Sequence, residues 1–277
     1  MQHESMSIAA SLVRPLPEPR LDNLTGLWRR SLILWPDGRR DDTSWVNWLQ
    51  GPGLYLDLRQ PAGRPDFAHV ASLADLTPRD MGWLARQEGF AGELVHEGGW
   101  FEWRRDIDFQ PEAIYSDRGR LRVEGDVMIE EGADIPYIEH WHREPIAAEP
   151  CWAMRLRDRD GGRKAALIRL GHLFMYARDR VAMPPPHLHL RDCVARAATL
   201  DEARALVDCE ISQGIVTSAG WIVQRSSLPF REGKTLAPVF GGATLATADT
   251  DADGRVMARH WEVIDLRGTP VFECRGE

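Results

Sequence analysis

The sequence predicts a mainly β protein made of two consecutive antiparallel β-barrel units, related by an internal duplication and carrying two short helices. Three observations predict it. Landmarks recur in one order at a spacing of about 120 residues. Short alternating segments separated by turn residues run the length of the chain. One capped helix start sits at the same place in each half. The recurring landmarks are Leu54–Arg59 with Leu173–Arg178, Thr77-Pro78-Arg79-Asp80 with Thr199-Leu200-Asp201-Glu202, and Gly92 with Gly214. Gly99-Trp100 and Arg104 recur as Gly220-Trp221 and Arg225, which sets Gln224 against Trp103 and Ser226 against Arg105. A Trp series joins them: Trp28, Trp141 in Glu139-His140-Trp141-His142-Arg143, and Trp261 in Arg259-His260-Trp261-Glu262.

Residues 1–22, with Pro15, Pro17 and Pro19 and no sustained period, read as a tail. From Leu24 to Trp35, Leu24, Gly26, Trp28, Arg30, Leu32 and Leu34 share one face of a strand. Pro36-Asp37-Gly38 is a turn, and Trp45–Gln50 and Gly53–Arg59 are strands about Gly51-Pro52-Gly53. Thr77 offers an N-cap, Pro78 the first helical position and Asp80 the third, for a helix ending before Gly89. Phe90–Glu97 and Trp100–Phe109 form a hairpin about Gly98-Gly99. Its second arm puts Arg105 among Phe101, Trp103, Ile107 and Phe109. Leu121, Val123, Gly125, Val127 and Ile129 alternate with charged neighbours, and Ile135–His142 closes the first unit or opens the second. The second unit runs Cys151–Arg157, an Asp160-Gly161-Gly162 turn, Ala165–Arg178, a loop from Pro184-Pro185-Pro186, and a helix from Thr199 to about Asp208. Strands follow at Glu210–Thr217, Trp221–Phe230, Ala243–Ala248 and Val256–Leu266. The units are thus 23–143 and 144–277, with 135–143 able to serve both and the two able to pack as one body. Closing each sheet into a barrel removes its edges.

A length of 277 residues leaves room for both units, and 43% apolar with 27% charged residues is an ordinary globular balance. A formal charge of −8 argues against nucleic acid as a partner, since phosphate affinity rests on clustered Lys and Arg. No apolar run is long enough to span a membrane, and the start lacks a secretory pattern. Cys151, Cys193, Cys209 and Cys274 lack CxxC spacing, which fits reduced thiols in a cytoplasm.

The Gly26-Leu27-Trp28 opening is similar to the Gly-x-Trp first strand of lipocalin-like (calycin) barrels. The duplicated order, with Trp141, the strand ending at Arg178 and the closing His260-Trp261-Glu262-Val263-Ile264, resembles a small fungal family of double β-barrel proteins, over roughly residues 24–267. That family was named for binding a casein kinase I homologue. The resemblance implies two lipocalin-like barrels and a possible protein partner, and it carries no catalytic residues. In such barrels an Arg lies across the first-strand Trp, a role it implies for Arg59 or Arg178.

An eight-stranded barrel interior is either packed or holds one small ligand. Inward faces single out Trp28, Trp48, Tyr55, Asp57, Arg59, Trp103, Arg105, Glu139 and Trp141 as a Trp- and Arg-lined cavity for a small hydrophobic or aromatic molecule, with or without an acid group. Buried Arg30, Arg105 and Glu139 serve either as internal ion pairs or as a polar floor for a carboxylate or carbonyl. His140/His142 and His187/His189 have chelating spacing but no evident third ligand, so they read as exposed or loop histidines, and no metal or cofactor is expected. Asp41-Asp42 and Glu130-Glu131 read as solvated charge runs, and Arg155–Lys164 as a solvated hairpin. Nucleophile signatures and phosphate-cradling loops are not visible. The expected function is small-molecule binding in the first barrel. The alternatives are a lyase or isomerase using the same cavity, and a protein-interaction scaffold.

Overall fold

The computed structural model describes residues 17–159 and 162–273. Residues 1–16 of the expected tail, Asp160 and Gly161 of the expected turn, and Cys274 lie outside the described residues. The first half holds β1 (Gly26–Leu34), β2 (Arg40–Asp41), β3 (Trp45–Gln50), β4 (Tyr55–Gln60), α1 (Pro78–Leu84), β5 (Glu88–Glu97), β6 (Trp100–Asp108), β7 (Arg118–Glu124), β8 (Val127–Gly132) and β9 (Ile138–Arg143). The second holds β10 (Cys151–Asp158), β11 (Lys164–Leu170), β12 (Leu173–Arg178), α2 (Leu190–Arg196), α3 (Leu200–Val207), β13 (Glu210–Thr217), β14 (Gly220–Ser226), β15 (Val239–Phe240), β16 (Thr244–Thr250) and β17 (Val256–Gly268).

All ladders are antiparallel. In the first sheet β1 and β3 to β9 pair in order, and β9 returns to β1, so eight strands close into a barrel with β2 attached to β1. The second sheet, in the order β14-β13-β12-β11-β10-β17-β16-β15, curls without a closing ladder. Residues 233–236 bridge its gap: Val223 N–H donates to Lys234 O, Leu236 N–H to Trp221 O, and Ala248 N–H to Leu236 O.

The two sheets repeat one plan, and the register identifies equivalent residues. Tyr55 faces Gly92 and Arg59 faces Glu88 across β4–β5; Phe174 faces Gly214 and Arg178 faces Glu210 across β12–β13. Both copies bulge at that glycine. A Cβ there would lie 1.9 Å from Arg104 O on Gly92 and 2.3 Å from Ile222 O on Gly214, so only glycine fits. Two residues on, Leu94 faces Trp103 and Val216 faces Trp221. The counterpart of Trp103 is therefore Trp221, not Gln224, and the counterpart of Arg105, opposite Gly92, is Val223, not Ser226. The indole is kept and the cation lost. Trp28 is likewise matched by Trp152 on β10, because β1 corresponds to β10 rather than to β9. Trp141 and Trp261 do correspond: each faces a hydrophobic residue, Met128 or Leu245, on the neighbouring strand.

Three further elements depart from the sequence expectation. A third helix, α2, follows the prolines. The alternation through 121–129 is broken at Gly125 (φ +60°) into the β7–β8 hairpin. The β1 register shifts between Arg30 and Leu32, so beyond it Ile33 is buried while Leu34 is exposed. The α1 start is as expected: Thr77 and Asp80 form a reciprocal capping box with Pro78 in the first turn.

Aromatic side chains fill each barrel. In the first, Trp48 lies 6.3 Å from Trp28, 5.7 Å from Trp103 and 5.8 Å from Trp141 between ring centroids, with Tyr55, Phe101 and Leu94 around them. Trp152, Phe174, Tyr176, Trp221 and Trp261 fill the second. One end of each is stoppered. Leu24, from a 3-10 turn over Leu21–Leu24, accepts the Trp28 indole N–H at 2.8 Å, and Phe272 packs on Trp152 and Trp221. The largest core lies between the barrels, where Leu54, Leu56 and Leu58 share a cluster with Ile168, Met175, Ala177 and the helices. Side-chain hydrogen bonds cross it from Asn47 to Gln213 and from Gln60 to Ser226 O.

Candidate functional site

Opposite its stopper the first barrel is open. Inward alternation on β4 lines up Tyr55, Asp57 and Arg59 from the Trp-filled centre to the rim. Arg59, Arg105 and Glu139 line a mouth of about 420 Å³ together with Arg30, Phe90 and Tyr137. It adjoins an outer hollow of about 790 Å³, lined by Ile114, Tyr115, His187 and His189 and sharing Glu88, Phe90 and Arg105. Of the nine residues singled out by the sequence, Arg59, Arg105 and Glu139 meet at this mouth. Asp57 and Tyr55 lie just below it, and Trp28, Trp48, Trp103 and Trp141 pack the interior beneath. The indoles therefore form the body under the cavity rather than its walls.

The guanidiniums are held by carboxylates. Arg30 donates to Glu139 and approaches Asp41 at 3.5 Å. Arg59 grips Asp57 through Nε and Nη2 at 3.0–3.1 Å and stands 3.7 Å from Glu139. Arg105 bridges Asp108 at 2.7 Å and Asp117 at 2.6 Å. Phe90 carries two of these cations, with Arg105 Cζ 3.5 Å and Arg59 Cζ 5.1 Å from the ring centroid. The cation over Trp28 is Arg143, at 4.4 Å, not Arg59.

Glu130 is the residue that sequence reasoning missed. It is buried, accepting the Trp141 indole N–H at 3.1 Å and the Tyr137 hydroxyl at 2.7 Å, and it faces Glu139 across β8–β9. Neighbours on a strand point to opposite faces, so of Glu130-Glu131 one had to turn inward. Its companions on that face, Met128 and the facing Trp141, were the available signal. Asp41 is also part of the network: burial works against its charge, but hydrogen bonds from Ser44 and Thr43 hold its pKa at about 2. Arg155, expected in solvent, pairs with Glu93 and Asp106 between the barrels.

Seven carboxyl groups (Asp41, Asp57, Glu88, Asp108, Asp117, Glu130 and Glu139) thus surround four guanidiniums (Arg30, Arg59, Arg86 and Arg105). That excess cannot all ionise out of water. Burial, then Glu139 and Asp117, pushes Glu130 well above the usual carboxyl range. Burial also raises Glu139 against the pull of Arg59 and Arg30, and raises Asp57 and Asp108. Glu139 Oε2 and the Tyr55 hydroxyl are buried without a hydrogen-bond partner. Glu139 lines the mouth, and its unpartnered oxygen is shielded from solvent.

The same end of the second barrel is closed. Arg178, the counterpart of Arg59, pairs with Asp208 at 2.8 Å and Asp249 at 3.3 Å. Arg231, from a 3-10 turn over Pro229–Arg231, donates to Glu210 at 3.0 Å, to Ala248 O at 2.8 Å and to Thr250 Oγ1 at 3.2 Å. The indole of Trp261 donates to Thr247 at 3.0 Å, where Trp141 uses Glu130. Among the described residues no group of three or more His, Cys, Asp or Glu is placed to hold a metal ion, and no helix is long and apolar enough to cross a membrane.

No protein-family model matches the chain, and no curated protein matches it significantly. Among solved structures the chain is similar to an uncharacterized protein from Saccharomyces cerevisiae, with 12% identity, a TM-score of 0.49, and coverage of 88% of this chain and 99% of that one.

Proposed function

We propose that the first barrel binds a small molecule, with a polar head seated in the mouth and an apolar body lying along Phe90 toward the outer hollow. One observation carries this reading: an open cavity of about 420 Å³ has on its floor a buried carboxyl group, Glu139, whose Oε2 lacks a partner. An unsatisfied buried acceptor costs about 1–3 kcal/mol, which a donor on the ligand relieves. A few convergent polar groups beside aromatic and aliphatic walls are the usual anatomy of such sites. Arg30, Arg59 and Arg105 each already hold carboxylates, so among the described residues of the lining only the exposed Arg86 at the rim is without a carboxylate partner. The test is a fragment screen read by methyl resonances of Ile33 and Ile135, which line the mouth. Fragments that shift both, and that bind more weakly to Glu139→Gln, support the reading; a screen with no fragment acting there overturns it.

A second reading rests on the same carboxyl. Glu139, raised by burial and lining the mouth, has the character of a general acid or base for a lyase or isomerase. Turnover of a bound ligand that disappears in Glu139→Gln while binding persists distinguishes the two.

A further inference from the structure

We propose that the head group taken by the first barrel is a cation of the guanidinium, amidinium or primary ammonium class, occupying the place that Arg231 fills in the second barrel. The inference rests on the proposed binding function and names its ligand class. The equivalence of the two mouths is fixed by register, since Arg59 faces Glu88 as Arg178 faces Glu210. In the first barrel Arg59 and Glu88 border open space. In the second, Arg178 and Glu210 are buried at 2% and 0% exposure beneath a turn that inserts Arg231. The Arg231 guanidinium takes one carboxylate, one backbone carbonyl and one hydroxyl as acceptors.

The difference follows from the connecting segments. After β14 the chain crosses the mouth within Ser227–Glu232, and Ser227 N–H is anchored to Ile211 O. After β6 the equivalent anchor is made, Phe109 N–H to Gly89 O, but the chain then swings outward and leaves Ile114 and Tyr115 70% and 58% exposed. The segment therefore brings Asp117 to Arg105 but no counterpart of Arg231 into the first mouth.

Charge points the same way. With Arg231 in place, the second mouth sets three guanidiniums (Arg178, Arg231, Arg259) against Asp158, Asp208, Glu210 and Asp249. The first sets four (Arg30, Arg59, Arg86 and Arg105) against seven carboxyl groups, and Glu139, which lines the mouth at 1% exposure, keeps Oε2 unpaired. An entering cation meets Glu88 at the rim above Glu139, with Phe90 beside it for an aromatic or aliphatic body.

The experiment compares four probes of one shape, benzamidine, benzylamine, benzyl alcohol and benzoate, by methyl shifts of Ile33 and Ile135 in the full chain. The expected result is binding of benzamidine and benzylamine at least about tenfold tighter than of benzoate or benzyl alcohol. Benzoate or benzyl alcohol binding there as tightly overturns the cation class while leaving the binding site standing. No shift from any of the four overturns the cation proposal, and the broader fragment screen then judges the binding function separately. A second arm uses the built-in occupant. Arg231→Ala is expected to melt lower than the parent, and methylguanidine to raise its Tm by more than it raises the parent's. Equal rescue by N-methylacetamide, or no rescue, counts against the proposal. If Arg231→Ala does not fold, Arg231→Met, closer in volume, is read the same way, and the four-probe comparison stands by itself.

Discussion

Replacing Glu130 by Gln is expected to stabilise the protein at neutral pH. Glu130 is buried, and burial followed by the fields of Glu139 and Asp117 holds its pKa well above that of an unfolded glutamate. Between the unfolded pKa, about 4.3, and the higher folded value, the native state keeps a proton that the unfolded chain releases. Stability from this group is therefore full at low pH and falls as pH rises, by about 1.4 kcal/mol per unit. From the unfolded pKa up to pH 7 the loss has a ceiling of about 4 kcal/mol, reached if the folded group stays protonated throughout. Gln keeps both contacts, since its Oε1 accepts the Trp141 indole N–H and its amide N–H donates to Tyr137, and it has no proton to lose. The second barrel already satisfies the equivalent indole with the neutral hydroxyl of Thr247. Urea unfolding followed by tryptophan fluorescence at several pH values measures the effect. The wild type and Glu130→Gln should converge near pH 4 and separate steadily as pH rises, by up to about 4 kcal/mol near pH 7, with Gln the more stable. Parallel pH profiles, or a variant less stable at every pH, would refute the claim that Glu130 is held as a neutral acid.

Three other outcomes follow from the packing and pairing. Trp48→Ala, at the centre of the indole cluster, should cost about 3–5 kcal/mol and flatten the near-ultraviolet circular dichroism, both measurable in one denaturant series. Arg178→Met leaves Asp208, Glu210 and Asp249 without their central cation and should cost about 3–5 kcal/mol by chemical denaturation; a loss below about 1 kcal/mol would mean that Arg231 and Arg259 alone suffice. Thr77→Ala removes half of the α1 capping box and should cost about 1 kcal/mol, read as a lower denaturation midpoint with an unchanged m-value.

The sequence made some of this legible and hid the rest for identifiable reasons. The inward set Tyr55, Asp57 and Arg59 was readable because side chains on a strand alternate with period two, and the structure keeps all three on the interior face. The duplication was readable from Gly92 and Gly214, where a bulge admits no Cβ. The pairing of Trp103 was misread because the neighbouring turn offered a false anchor: Gly99-Trp100 resembles Gly220-Trp221, yet the bulge glycines fix a register that sets Trp103 against Trp221. Glu130 was hidden by adjacent Glu131, since two acids in a row look solvated until the strand's parity is counted. Asp117 could not be assigned to Arg105 from sequence, because the contact depends on the path of the loop between β6 and β7. Helix α2 was missed because three prolines precede it and its N-cap, His189, makes no side-chain cap.

That pattern of hits and misses says where the two copies are free to differ. Residues fixed by backbone geometry, such as the bulge glycines, the inward aromatics and the Arg at the end of β4 and β12, recur because each barrel needs them to close and pack. Residues at the open ends do not recur: Arg105 becomes Val223, Glu130 becomes Thr247, and Glu139 becomes Arg259 by register. In the second copy these exchanges lower the number of carboxyl groups and the chain supplies its own cation, Arg231. Such an arrangement is self-contained, with its ions paired inside one unit. The first copy retains Glu130 and Glu139 facing one another across two strands, under an opening. Two neighbouring carboxyls out of water raise one another's pKa and destabilise the fold at neutral pH. An open end with its carboxyls unrelieved, beside a sealed end that carries its own cation, is the structural contrast on which the proposed binding in the first copy rests.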